Sequence, residues 1–285
     1  MDQRIIDLYD EYTHAPLPRR DFLERLAVLT GGAAAIPAIL SQIEPNYAHA
    51  ALVPENDPGL DAGPTAYPGP AGTVKAYRAA PKGLGKAPAV IVIHENRGLN
   101  PYVEDVTRRV AKAGFVALAP DLLSPLGGTP ADPDQARDMI AKLDRAAVVK
   151  DLQAAMTALR ADGAVTGKVG AVGFCWGGGM VNQLAVAAPD LNAGVAFYGP
   201  TPDPAQAAAI KAPMLLHYAG LDQRINAGIP AYDEALKKAG VKHQIFVYEG
   251  VNHAFHNDTS AERYDKAAAD LAWDRTVVFL KNALL

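Results

Sequence analysis

The chain has 285 residues, 49% of them hydrophobic, and 27 basic against 31 acidic side chains give a net charge of −4. That length suits one large α/β domain, and the mild acidity leaves no basic footprint for nucleic acid. The single cysteine excludes an internal disulfide and an all-thiolate zinc site.

Residues 1–50 read as a leader or as a segment that docks on the body. Arg19-Arg20-Asp21-Phe22-Leu23 is a twin-arginine pattern, followed by a mildly apolar run from Leu26 to Leu40 and a small-residue cleavage pattern at Ala48-His49-Ala50. These features predict export to the periplasm by the twin-arginine route. The alternative is a cytoplasmic protein that retains an amphipathic N-terminal helix. Gly31, Gly32 and Pro37 break the apolar run, which is too short to span a bilayer, so no stable membrane insertion is expected. Residues 51–71 are rich in Pro and Gly and read as a connecting arm, unable to hold a helix or a central strand.

The domain proper is expected over 72–285. Thr73 to Arg78 alternates loosely, as an early antiparallel strand would. Ala89 to Ile93 is a continuous apolar run, the mark of a strand covered on both faces. A helix is predicted over 101–113, a buried strand over 115–119, and helices over 133–143 and 145–161. Strands follow at 169–172, 193–198, 213–218 and 244–248, with helices near 180–188, 228–239 and 261–283. Strands alternating with helices predict a mostly parallel, doubly covered sheet, whose ligands sit beyond the carboxyl ends of the strands.

Gly173-Phe174-Cys175-Trp176-Gly177 lies at one of those ends, between a strand and a helix. A nucleophile on such a bend is the elbow of α/β-hydrolases, here with sulfur in place of the commoner serine. The turn is tight, so the positions two before and two after the nucleophile must lack side chains; both are glycine. The following helix aims N–H groups at the sulfur and favours thiolate. A buried structural cysteine is the plain alternative. A phosphate loop is disfavoured because no Gly-Lys-Ser/Thr ending follows.

Downstream, Asp222 closes a strand in Ala219-Gly220-Leu221-Asp222, and His253 lies in the loop Gly250-Val251-Asn252-His253. Nucleophile, acid and histidine in that order form a hydrolase triad: Cys175 attacks, His253 shuttles the proton, and Asp222 fixes the imidazole tautomer. After the first buried strand comes His94-Glu95-Asn96-Arg97-Gly98. It lacks the second histidine of a zinc-protease helix, and His253 with His256 has no third ligand nearby in sequence, so neither metal nor organic cofactor is expected. Backbone N–H groups of Asn96 and Trp176 are the candidate oxyanion donors. Glu95 is placed to hold the thiol proton or tune the thiol, and Arg97 to contact substrate. Trp176, Tyr198 and Phe255 are candidate pocket walls.

These segments resemble the dienelactone hydrolase family. The resemblance rests on His94–Asn100, Ala119-Pro120-Asp121-Leu122, Gly173-Phe174-Cys175-Trp176-Gly177-Gly178, Asp222 and Gly250–Phe255. It implies an α/β-hydrolase fold, an acyl-enzyme on Cys175 and cleavage of a small ester or lactone. It also implies that Glu95 helps activate the thiol when substrate binds. One departure stands out. The family's type enzymes carry a carboxylate-binding arginine four residues after the histidine, where this chain has Asn257. Arg97, Arg137 and Arg224 are candidate substitutes. Two other readings compete: a thiol redox or peroxide sensor using Cys175, and a binding protein on an inactive hydrolase scaffold.

Overall fold

Ala87–Ile93 has no exposed residue, so the strand must lie inside a sheet covered on both faces. The computed structural model describes residues 1–15, 17–47 and 52–285 and places this strand, β3, near the middle of an eight-stranded sheet. Its companions are β1 (Leu60–Gly69), β2 (Gly72–Pro81), β4 (Val116–Pro120), β5 (Val165–Phe174), β6 (Ala193–Phe197), β7 (Met214–Ala219) and β8 (His243–Tyr248). The spatial order is β1-β2-β4-β3-β5-β6-β7-β8. From β4 to β8 all neighbours pair in parallel, while β1, β2 and β4 pair antiparallel.

The helices are α1 (Gln3–His14), α2 (Arg19–Thr30), α3 (Ile36–Ile43), α4 (Pro101–Lys112), α5 (Pro133–Ile140), α6 (Arg145–Ala161), α7 (Trp176–Ala187), α8 (Gln223–Asn226), α9 (Ile229–Lys238) and α10 (Lys266–Leu284). Two apolar clusters form the core, one on each face of the sheet. Leu152, Met156 and Leu184 lie in the first; Val106, Phe115 and Leu280 lie in the second. This is the α/β-hydrolase arrangement expected above.

The arm reading of 51–71 requires correction, because residues 60–69 form β1. Pro64 and Pro68 fit there because β1 lies at the edge of the sheet and pairs only with β2, so a missing N–H can face outward. Proline marks the strand as peripheral, and that property reads as a linker in the sequence. The predicted helix 261–283 likewise begins only at Lys266, where Asp265 caps it by accepting from the Ala268 N–H at 2.9 Å.

Helices α1–α3 have a small core of their own. Ile5, Ile6, Tyr9, Tyr12, Phe22, Leu26 and Ile43 are buried together, and the Tyr12 and Phe22 rings stack at 4.3 Å. Polar ties seat this cap on the domain. The Asn96 amide donates to the Thr13 carbonyl at 2.7 Å, Ser260 to the Ile43 carbonyl at 2.8 Å, and Gln3 to Asn252 at 2.6 Å. Arg19 pairs with Asp134 at 2.5 Å, whereas Arg20 pairs with Glu24 inside α2 at 2.9 Å. Ala48-His49-Ala50 lies outside the described residues. Among the described residues, no single helix is long and apolar enough to cross a membrane.

Candidate active site

The elbow forms because its glycines leave no alternative. A Cβ on Gly173 would stand 2.3 Å from the Gly177 carbonyl oxygen, and one on Gly177 would meet the carbonyls of Ile93 and His94 at 2.4 Å. With both positions bare, β5 runs into α7 without a linker and Cys175 sits between them at φ 56°, ψ −119°. A non-glycine residue in that region is strained, and such strain is characteristic of functional bends. Its N–H donates to the Phe197 carbonyl at 3.0 Å, which locks the bend to β6.

Asp222 follows β7 and caps α8, accepting from the Ile225 N–H at 3.1 Å. That fixes its carboxylate, whose other oxygen accepts from His253 Nδ1 at 2.5 Å. His253 lies in the loop after β8, next to Ala254, whose φ of 65° turns the chain there. Both side chains are nearly closed to solvent. With Nδ1 committed to Asp222, Nε2 faces inward and has no fully formed hydrogen bond. One nitrogen of His253 and Cys175 Sγ belong to a group whose members all lie within 4.8 Å.

The electrostatics agree with the geometry. Burial opposes the imidazolium, but the Cys175 charge and the Asp222 hydrogen bond outweigh it and push His253 up to about 10. Burial also works against the Asp222 carboxylate, yet the bond to His253 and its charge hold Asp222 below the usual range. Glu95 is driven the other way: burial raises it, although Arg263 and the Asn257 amide oppose the rise.

Glu95 lies beyond β3 within the buried cluster, where Tyr198 donates to it at 3.4 Å and Asn257 at 2.7 Å; the hydrogen bond at the thiol is to His14 instead. Trp176 opens α7, where the first N–H groups have no intrahelical partner, and its ring stacks on His94 at 5.4 Å. Asn96 lines the cavity beside Cys175. Arg97 pairs with Asp134 at 3.0 Å and reaches toward the Tyr9 hydroxyl at 3.5 Å, and it lines a small inner recess that it shares with Glu95, Cys175 and His253. Tyr198 lies against His253 with ring centroids 4.9 Å apart, whereas Phe255 is fully buried behind it.

His94 and His256 are structural. His94 Nδ1 donates to the Glu95 carbonyl at 2.7 Å and Nε2 accepts from the Leu122 N–H at 3.3 Å. His256 binds the Tyr102 hydroxyl at 2.8 Å amid Phe174, Phe197 and Trp273.

Three features were missed in the sequence. His14, at the end of α1, places Nε2 3.1 Å from Cys175 Sγ, and its ring meets that of His253 edge-on at 4.6 Å. Arg263 is buried beside the site, donating to Ser260 at 3.1 Å and Asp10 at 3.4 Å. Arg145 joins Arg137 and Arg224 in lining a cavity of about 310 Å³ that opens onto Cys175. Only long-range packing brings these groups in; a helix of unremarkable composition carries no sign that its last residue will reach a thiol.

Residues 74–284 match the family model described as the dienelactone hydrolase family. The chain belongs to the dienelactone hydrolase family. Residues 1–32 match a second model, described as YqhI-like. A relative from Methylorubrum extorquens, provisionally named a carboxymethylenebutenolidase, is 37% identical over 76% of this chain and 79% of its own. A Bradyrhizobium relative provisionally named a 2-oxo-3-(5-oxofuran-2-ylidene)propanoate lactonase is 33% identical over 72% and 88%. A crystal structure from Klebsiella pneumoniae, provisionally named a dienelactone hydrolase, superposes with a TM-score of 0.71 at 29% identity. It covers 78% of this chain and 98% of that one. This member of the family is therefore an enzyme of the ester- and lactone-hydrolase class on the α/β-hydrolase fold.

Proposed function

We propose that this hydrolase cleaves a small ester or lactone through a thioester on Cys175. The observation that carries the reading is the buried His253, held by Asp222 at 2.5 Å with its free nitrogen turned toward the elbow sulfur. The Cys175 thiolate attacks the carbonyl carbon, and the carbonyl electrons move onto oxygen beside the N–H groups of Asn96 and Trp176. As the intermediate collapses, the acyl C–O bond breaks and the His253 imidazolium gives its proton to the departing oxygen. In a lactone that oxygen remains tethered to the acyl group. Water, deprotonated by His253, then attacks the thioester and expels the sulfur as thiolate beside the imidazolium; the carboxylic acid so formed gives its proton to solvent and leaves as carboxylate.

Glu95 takes part in thiol activation in this reading. It is buried, raised by burial and bonded to Asn257, so a change in its proton on substrate entry alters the field at Cys175. The position of the absent family arginine is occupied by Asn257, which is turned inward to Glu95. Carboxylate recognition therefore falls to Arg137, Arg145 and Arg224 around the cavity. The substrate is a small ester or lactone with an anionic group near the scissile bond. Hydrolysis of an activated ester and an enol lactone by wild type, Cys175→Ala and His253→Ala is the test; undiminished turnover in either variant rejects the triad.

The docking of α1–α3 supports a cap that works with the body, in place of export by the twin-arginine route. The intact mass of protein recovered from cells decides between them: a chain retaining Met1 fits the docked cap, and one starting at Ala51 fits cleavage.

A further inference from the structure

His14, Cys175 and His253 offer two imidazole nitrogens and a sulfur within 4.8 Å of one another, contributed by α1, the elbow and the loop after β8. Hydrolysis as proposed above uses only two of them. Both rings are oriented from behind. His14 Nδ1 lies 2.8 Å from the Asp10 carbonyl, which can only accept, so Nδ1 carries the proton and Nε2 turns a lone pair to the sulfur at 3.1 Å. His253 Nδ1 is held by the Asp222 carboxylate, and its buried Nε2 lacks a fully formed hydrogen bond. A ring nitrogen bonded to carbonyl or carboxylate while the other faces a shared point is the outer support of histidine metal ligands.

We propose that these three side chains bind a thiophilic divalent cation, zinc being the natural case, which clamps α1 onto the catalytic centre and switches the nucleophile off. One thiolate and two neutral imidazoles form a borderline-soft set suited to zinc. Zinc–sulfur and zinc–nitrogen bonds of about 2.3 and 2.0 Å separate tetrahedral ligands by roughly 3.5 Å, a value between the 3.1 Å contact and the 4.8 Å limit of this group. The fourth position faces the open cavity and takes water. The Cys175 thiolate and the Asp222 carboxylate together offset the two positive charges. Arg263 is engaged by Asp10, and Arg224, half exposed, stands 3.9 Å from Asp222. Binding forms the metal–sulfur bond and releases to solvent the proton that the thiol–imidazole pair shared. No electron is transferred. With its lone pair on the metal and its base ligated, Cys175 no longer attacks a carbonyl.

The test uses the full chain, stripped of metal with a chelator and titrated with Co²⁺, then Zn²⁺. A near-ultraviolet sulfur-to-cobalt charge-transfer band with intense tetrahedral visible bands is expected, displaced by Zn²⁺ and absent in Cys175→Ser. Loss of outer-shell support alone costs about 10–100-fold in metal affinity, so His14→Ala and His14→Gln should each weaken binding at least about tenfold. Circular dichroism without metal confirms that both variants are folded. No charge-transfer band overturns the site, and so does equal affinity in folded His14 variants. The spectral readout does not depend on turnover, so a failed triad and a failed metal site give separate results.

Discussion

Replacing Asp222 by Asn probes the electrostatic core of the site while sparing its shape. Asn keeps the cap on α8 through its carbonyl but removes the charge 2.5 Å from His253. The imidazolium is raised from 6.5 to about 10 in the folded protein, a rise of roughly 5 kcal/mol at about 1.4 kcal/mol per unit. This figure is net of burial, which opposes the charge, so the Cys175 charge and Asp222 together supply more than it. A hydrogen bond to a charged group is worth about 1.5–3 kcal/mol, so losing the Asp222 bond lowers the thiolate–imidazolium population roughly 10- to 150-fold. An amide N–H facing Nδ1 would also select the tautomer with hydrogen on Nε2, which cannot take a proton from sulfur. The combined expectation is a fall in kcat/KM of about 10²–10⁴, with a matching loss of thiolate ultraviolet absorbance at neutral pH. Stopped-flow hydrolysis of an activated ester across pH, beside absorbance titration of the same samples, measures both. A kcat/KM within about threefold of wild type, in a folded variant, would refute the reasoning.

Other outcomes follow from the same geometry. Because the folded His253 is raised, its contribution to stability is fully present below the unfolded value of 6.5 and is lost as pH rises through about 10. The thermal midpoint should therefore fall across that window, and Cys175→Ala should flatten the fall; an equally steep fall in the variant counts against the pairing. Gly177→Ala drives a Cβ to 2.4 Å from two backbone carbonyls, so unfolding free energy should drop by about 2–3 kcal/mol in urea titration. Unchanged stability would mean that the elbow is not as tight as described. Glu95→Gln should remove an ionisation from the acid limb of the acylation profile, since burial raises Glu95; an identical profile removes Glu95 from thiol activation. Arg224→Ala should raise KM for a carboxylate-bearing ester several-fold while leaving a neutral ester unaffected, as steady-state kinetics would show.

Much of the frame was legible because it rests on local rules. The apolar run of β3 and the bare glycines around Cys175 need no tertiary information to be read as a covered strand and a tight bend. The order of Cys175, Asp222 and His253 predicted that they would meet, since parallel strands bring their carboxyl ends to one edge. What escaped depends on distant partners. β1 was hidden by prolines that only an edge tolerates. Arg97 sits beside the site in sequence, and its guanidinium is held there by Asp134 and by the Tyr9 hydroxyl of the cap. Asn257 signalled a missing arginine, while its partner Glu95 lies 162 residues away. His14 was the least legible. The twin-arginine pattern drew attention to export, whereas α1 ends against the thiol, 161 residues from it in sequence.

The most direct measurement is the mass of the enzyme quenched within its first turnovers of an activated ester, followed by peptide mapping. A single acyl adduct on Cys175, accumulating in His253→Ala when that variant is acylated and absent from Cys175→Ala, is the predicted result. Sustained hydrolysis by Cys175→Ala, or an acyl group found on another residue, would contradict a thioester mechanism at this elbow.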